Sequence, residues 1–554
     1  MGIKYFFSWF KKTFSNHIRT KHISPPLDVS IDTFLIDLNG IFHYCAQKAF
    51  HYGNFAKKDV GKTYPFKRQQ LYMFEQTGDY IHQLIHFVRP QKRVVLCIDG
   101  VAPVSKQFQQ RQRRFRSSLE QNTFDSNCIT PGTQFMDFLS SYLEWFIHMK
   151  MMSDPVWQSI EVVFSNEKVP GEGEHKLVKL VRDYGSDHEQ FMIHGMDADL
   201  IMLALASQRP NFHVLRENPY RQKEEFFYIN MKGVRDTLVL TLLHEPSMLP
   251  DQFFINDFIL MMFMSGNDFL PNLPTIDILE GSIEKFFETY RNTVSHYGNI
   301  VTHLNTINTK PLAVLLGTIG STEILVLEER RKNIRDSLLE KHCSLVNNDF
   351  VIDWPSYRKE YYEKKLNCVT EIDIEKVCLS YLQGMQWVLT YYTEGVPCWR
   401  WFYPYRYAPF SSDLVKYCEK LVTIHKVVSE AKPFDPFMQL LCVLPTKSCT
   451  LLPDPLPSIM TNAATIVYYP LEFEIDLDGK RNEWEGTVLL PLLDIKLIDK
   501  YYRNLLSSVS YRDKRRNQRL KTVSYQYGRD IKPFQSYYGA IPESTITSEY
   551  KYEI

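Results

Sequence analysis

None of the ten cysteines forms a Cys-x-x-Cys pair or joins a His-Cys group at zinc spacing, which argues against both a disulfide framework and a zinc site. Net charge is also lacking. The 64 basic residues balance 64 acidic ones, so any surface for a polyanion must be a local patch and not a global field. No apolar run is long enough to span a bilayer, and the most apolar one, FFINDFILMMFM at 253–264, carries Asp257. No internal period of about 20 to 50 residues is present, which excludes a solenoid or propeller. The first residues, MGIKYFFSWFKK, lack signal-peptide order, and Phe6 stands where a myristoylation pattern requires Ser or Thr. The expectation is a soluble, cytoplasmic chain with reduced thiols and no membrane partner, the nucleus being the alternative compartment.

At 554 residues the chain is too long for one ordinary core and should hold two to four compact units. From Asp32 to about Pro274, short apolar runs alternate with helical patterns: TFLIDLNG, RVVLCIDG, IEVVFS and FMIHGMDADL. Strands of this kind, apolar on both faces and separated by helices, predict an α/β fold with a mostly parallel central sheet and flanking helices. Ligands in such folds sit beyond the carboxyl ends of the strands. Residues 1–300 are read as this unit, 301–370 as a charged helical connector, and 371–554 as a second helical and extended region, rich in aromatics and proline, packed against the first.

Acids recur at element ends in the first unit. Asp37 closes TFLID and Asp99 closes VVLCID. Glu172 and Glu174 flank one glycine in VPGEGEHK, Asp197 and Asp199 open the helix of GMDADLIML, and Asp268 follows a Gly-Asn turn in FMSGNDFLP. Each alone is explained by capping or turn chemistry, and Glu172 and Glu174 would suit the positive end of a helix dipole. Seven at one edge are not so explained, because crowded carboxylates must take up protons unless divalent cations neutralise them. Oxygen-only ligands select a hard ion, Mg²⁺ with Mn²⁺ able to substitute. Two such ions about 4 Å apart would activate a water and stabilise the leaving oxygen of a phosphodiester.

Directly after Asp99, the stretch GVAPVSKQFQQRQRRFRSSLE predicts a helix from about Ser105. Lys106, Gln110, Arg113 and Arg114 then fall at i, i+4, i+7 and i+8 on one face, a donor set suited to a terminal phosphate. His43 and the aromatic run holding Trp399 and Trp401 offer faces on which unpaired bases could stack.

Together DLNGIFH, IDGVAP, QQRQRRF, FDSNCITPGTQFM, VPGEGEHK, GMDADLIML and GNDFLPNLP resemble the first conserved region of the XRN family of 5′-to-3′ exoribonucleases. The second conserved region is similar to YLQGMQWVLTYYTEGVPCWRWFYPYRYAP, PFDPFMQLLCVLP, YYPLEFEIDLDGKRNEWEGTVLLP and the KRRN that begins at Lys514. The resemblance implies a core like that of PIN and flap nucleases and a monomer. The implied activity is Mg²⁺-dependent and processive, shortening single-stranded RNA from a 5′-monophosphate to nucleoside 5′-monophosphates in mRNA decay, downstream of the decapping machinery. It also implies that all seven acids are metal-site and catalytic positions, that Lys106, Gln110, Arg113 and Arg114 hold the 5′-phosphate, and that His43 and a tryptophan of the second region clamp the leading bases. Three positions depart from the pattern: Lys4 replaces a proline, Val104 a basic residue at the pocket rim, and Arg406 a histidine. The competing readings are a structure-specific flap-type endonuclease and a non-catalytic RNA-binding scaffold.

Overall fold

In the computed structural model, residues 2–56, 65–120, 124–218, 225–243, 249–333, 336–421, 432–480 and 482–554 are described. The strand that ends in Asp37 lies at the middle of a nine-stranded sheet. The strands are β1 (Ile18–His22), β2 (Thr33–Asp37), β3 (Arg93–Cys97), β4 (Glu161–Ser165), β5 (Phe191–His194), β6 (Phe212–Glu217), β7 (Glu225–Asn230), β8 (Val523–Tyr527) and β9 (Ile546–Glu549). Their spatial order is β1-β7-β6-β5-β2-β3-β4-β8-β9. The five central strands, β6 to β4, are parallel, as the alternation of apolar runs and helices predicted. Two antiparallel strands extend the sheet on each side. Every residue of β2, β4 and β5 is buried, because helices cover both faces.

Seven helices matter for the site: α1 (Phe6–Thr13), α2 (Leu38–Phe50), α3 (Val104–Ser117), α4 (Gly173–Tyr184), α5 (Asp199–Ala206), α6 (Asp251–Phe263) and α7 (Glu371–Thr393). A capping box between Thr370 and Asp373 starts α7. Leu35 and Val95 face one side of the sheet and pack in one apolar cluster with Phe6, Val178, Leu200, Leu316 and Tyr391. Phe34, Ile36, Val94 and Leu96 face the other side, where Tyr525 and Ile546 from the end of the chain join them. Both clusters therefore draw on distant parts of the sequence.

Register brings the strand ends level. Asp37 pairs with Cys97 and Cys97 with Ser165, while Ile36 pairs with His194. The loops that follow β5, β2, β3 and β4 consequently leave the same edge of four adjacent strands.

Candidate functional site

Four of those loops and the turn after α6 carry the seven acids. Asp37 caps α2, accepting the Asn39 N–H at 3.3 Å, and the side chain of Asn39 in turn accepts the Asp99 N–H at 3.4 Å. Asp99 Oδ1 accepts the Gly173 N–H at 2.6 Å. Glu172 occupies the N-cap position of α4, yet its side chain makes no cap hydrogen bond. It faces inward instead, where its Oε1 accepts the Tyr391 hydroxyl at 2.8 Å and its Oε2 pairs with Lys106. Asp268 Oδ2 lies 2.7 Å from the same ammonium, and its Oδ1 accepts the Gly2 N–H at 3.1 Å. Glu172, Glu174, Asp199, Asp268 and Asp37 are buried, Asp99 is half-buried and Asp197 is exposed.

Space at this edge is rationed. A Cβ on Gly173 would lie 2.8 Å from Asp37 Oδ1 and 3.4 Å from Asp99 Oδ1. A Cβ on Gly2 would overlap Asp199 Oδ1, and the φ of Gly2 is +51°.

The electrostatics follow from that crowding. Burial and then the Asp99 and Asp197 charges push Asp37 well above the usual carboxylate range. Burial does the same to Glu174, and burial together with Asp268 raises Asp199 to about 7. Asp268 shifts the opposite way: although burial opposes it, the Lys106 ammonium holds it low. Burial likewise opposes the charge on Lys106, but Asp268 and Glu172 keep the ammonium well above its ordinary value. The donors are all oxygens, burial pushes Asp37, Glu174 and Asp199 toward their protonated forms, and Glu172 and Asp268 already share one cation. Such a set fits a hard divalent ion.

A pH dependence follows. In the folded protein Asp37, Glu174 and Asp199 favour their protonated forms, so their stabilising contribution is complete in acid and is lost as pH rises through the folded values, about 7 for Asp199. Half-buried His43 and buried His213, both lowered to about 4, act with the opposite sign, but only below the ordinary histidine value of about 6.5. EDTA-treated protein should therefore lose thermal stability as pH rises from about 6.5 to 8, through the Asp199 value of about 7, and the gain from added Mg²⁺ should widen across that window. Thermal melts at each pH check this; a Mg²⁺ gain that shrinks as pH rises would contradict it.

The helix predicted after Asp99 is α3. Gln110 and Arg114 are buried on it, with Gln110 Oε1 and Arg114 Nη1 lacking hydrogen-bond partners among the described residues, and Arg113 is exposed. Burial and then Arg113 lower Arg114 to about 9, which leaves it charged at neutral pH. Half-buried His43, on α2, is held neutral first by burial and then by the charges of Arg113 and Arg114. Lys106 turns away from this group into the acids. Val104 is buried at the start of α3, its N–H donating to the Trp399 carbonyl at 3.0 Å, so it does not stand at a pocket rim.

The tryptophans are redistributed. Trp401 stacks on Trp387 at 5.3 Å and fits against Gly384, and half-buried Trp399 supplies the carbonyl that anchors α3. Neither lines the cavity of about 250 Å³ that opens on Asp268, whose walls include Phe108, Arg113, Phe402, Arg406 and Trp484. Trp484 is 51% exposed, with the Tyr5 ring 6.0 Å from its own, and it lines this cavity where Trp399 and Trp401 do not. Lys4 fixes its loop, donating to the Glu485 carbonyl at 3.0 Å with its ammonium 5.8 Å from the Trp484 ring. The dipeptide Asn-Glu before Trp484 gave no hint of this, because aromatic exposure is decided by tertiary packing.

Among the described residues, His82, His86 and Asp154 form the group whose ligand atoms lie within 4.8 Å of one another. Trp157 Nε1–H donates to His82 Nδ1 at 3.1 Å, which puts the ring proton on Nε2, the nitrogen facing Asp154. A metal-bound histidine needs the opposite arrangement. Asp154 also caps a helix, accepting the Val156 N–H at 2.9 Å. The group is a hydrogen-bonded corner.

The fold and site define a class: an α/β protein that gathers carboxylates and a cationic helix at the carboxyl edge of a parallel sheet, as phosphoester chemistry requires. Two family models match the chain. One, described as the XRN 5′-3′ exonuclease N-terminus, matches residues 1–123 and 117–218; the other, the Xrn1 helical domain, matches 251–352 and 344–527. The chain belongs to the XRN family. It is 28% identical to the 5′-3′ exoribonuclease 2 homolog of Drosophila melanogaster over 93% of this chain and 72% of that protein. It is 30% identical to human 5′-3′ exoribonuclease 1 over 96% of this chain, but spans only 36% of that protein. A solved structure of the catalytic core of Rad2 with a DNA substrate superposes with a TM-score of 0.31 at 16% identity, over 64% of this chain and 83% of that one, a likeness that carries no argument.

Proposed function

We propose that this protein is a 5′-to-3′ exoribonuclease that removes nucleoside 5′-monophosphates one after another from single-stranded RNA with a 5′-monophosphate, such as decapping leaves. One observation carries the reading beyond family membership: the cationic face of α3 adjoins the carboxylate edge, through Lys106 bonded to Glu172 and Asp268. Two Mg²⁺ ions, for which Mn²⁺ can substitute, would be held by Asp37, Asp99, Glu172, Glu174, Asp197, Asp199 and Asp268, and when bound supply an activated water and charge neutralisation at the leaving oxygen. Gln110, Arg113 and Arg114 hold the terminal phosphate one nucleotide upstream of the scissile bond, and the length of the first nucleotide then sets where the cut falls. Tyr391 and the Gly2 N–H orient Glu172 and Asp268. His43, neutral and so free of charge repulsion with the arginines, and Trp484 provide faces for the leading bases.

Purified protein with Mg²⁺ should release mononucleotides from 5′-monophosphate RNA at least about tenfold faster than from the matched 5′-triphosphate RNA, the discrimination expected when a charged group exceeds its pocket. Equal rates on the two ends would refute the phosphate pocket, and oligonucleotide products from a branched DNA would favour the endonuclease reading.

A further inference from the structure

Lys106 belongs by helical spacing with Gln110, Arg113 and Arg114, but its ammonium points elsewhere. The side chain is 12% exposed and bonds Asp268 Oδ2 at 2.7 Å and Glu172 Oε2. The other oxygen of each carboxylate is already committed, Glu172 Oε1 to the Tyr391 hydroxyl at 2.8 Å and Asp268 Oδ1 to the Gly2 N–H at 3.1 Å. Lys106 thus takes the two oxygens that these fixed donors leave open. Those same oxygens are the ones the two residues can offer to a divalent cation. Two turns along α3, Arg114 Nη1 is buried and lacks a partner among the described residues, so this guanidinium has a donor to offer a phosphate while the Lys106 ammonium is engaged.

We infer that Lys106 is a conditional phosphate ligand, held by Glu172 and Asp268 until divalent cations take their oxygens and release it toward the 5′-phosphate. An ammonium and a divalent cation compete for the same carboxylate oxygens, and the ion with two charges and several ligands wins at sufficient concentration. The lysine stem has four rotatable carbons, so the released ammonium can swing along α3 toward Gln110 and Arg114 without moving the backbone. The protein then grips a 5′-phosphate strongly only when its metal site is filled. This inference rests on the reading given under Proposed function.

The test uses a single-stranded RNA whose first internucleotide bridge has methylene in place of the 3′-oxygen, so that the P–C bond cannot be hydrolysed. It is prepared with a 5′-phosphate and with a 5′-hydroxyl, and binding to the full chain is measured by fluorescence anisotropy in EDTA and in Mg²⁺. Wild-type protein should prefer the 5′-phosphate by less than about threefold in EDTA and by about tenfold more in Mg²⁺, the size of one charge-assisted hydrogen bond. Lys106→Met should keep the EDTA value, lose the Mg²⁺ gain, and melt earlier than wild type in EDTA because Glu172 and Asp268 lose their cation. An equal preference in EDTA and Mg²⁺ overturns the inference from wild-type data alone. A Mg²⁺ gain that persists in Lys106→Met also overturns it, since the ions would then meet the phosphate directly. Unmodified RNA is digested alongside: protein that cuts it without a Mg²⁺-dependent preference refutes only this inference, whereas protein that does not cut refutes the parent reading and this one with it.

Discussion

Glu174→Gln should lower mononucleotide release by at least about 10³-fold while raising the thermal midpoint measured in EDTA, a loss on the scale of removing one electrostatic element from a preorganised site. Glu174 is buried in the first turn of α4, and burial pushes its carboxyl well above the usual range. Glutamine keeps the shape and removes an acid that the fold must either protonate or hold charged at a cost, so stability should improve as activity disappears. The helix-dipole explanation predicts the reverse: loss of a first-turn acid would cost about 0.3–1 kcal/mol of stability and leave the rate unchanged. Product release by chromatography and melts in EDTA separate the two, and a variant that is both less stable and fully active would end the metal-site assignment of Glu174.

That contrast shows what could be read from the sequence. Asp37, Asp99 and the Asp197-Asp199 pair each follow a short apolar run, and a parallel sheet puts such run ends on one edge, so strand pattern alone was enough to group them. The direction of a long side chain was not so legible. Helical spacing places Lys106 with Arg113 and Arg114, but which of two neighbouring clusters its ammonium joins depends on carboxylates 66 and 162 positions away in the chain. Trp484 escaped for the same reason, since the loop that carries it is tied through the Glu485 carbonyl to Lys4, 481 positions away. Nor did local pattern reveal that β8 would pair with β4 through Val523 and Phe164, because antiparallel edge strands far apart in sequence carry no mark of their partners.

Gly173→Ala isolates how much of the site depends on close approach alone. Gly173 opens α4, where alanine would ordinarily favour the helix by up to about 1 kcal/mol over glycine. Its backbone angle imposes no demand for glycine, so only space decides the outcome. The new methyl would meet Asp37 Oδ1 at 2.8 Å, and Asp99 Oδ1 and the Cys97 carbonyl oxygen at 3.4 Å each. The Cys97 carbonyl is fixed in the sheet, so the Asp37 carboxylate is the group that must move. The Gly173 N–H also orients Asp99 at 2.6 Å, and a shift of α4 to relieve the contact would disturb that bond. Displacing a reacting constellation by about 1 Å can cost about 10²-fold in rate, and that loss is expected here with stability changed by no more than about 1 kcal/mol either way. Gly384→Ala is the matched control: its methyl would strike Leu270 Cδ2 at 2.6 Å and the Trp401 ring at 2.8 Å and meets no carboxylate, so it should lower the melting temperature without a comparable loss per folded molecule. Isothermal titration of Mg²⁺ completes the comparison. Weakened binding to Gly173→Ala, with Gly384→Ala unchanged, would show that the glycine between the two glutamates serves to let Asp37 and Asp99 stand against α4. Wild-type Mg²⁺ affinity and rate in Gly173→Ala would mean that the carboxylates have room to spare.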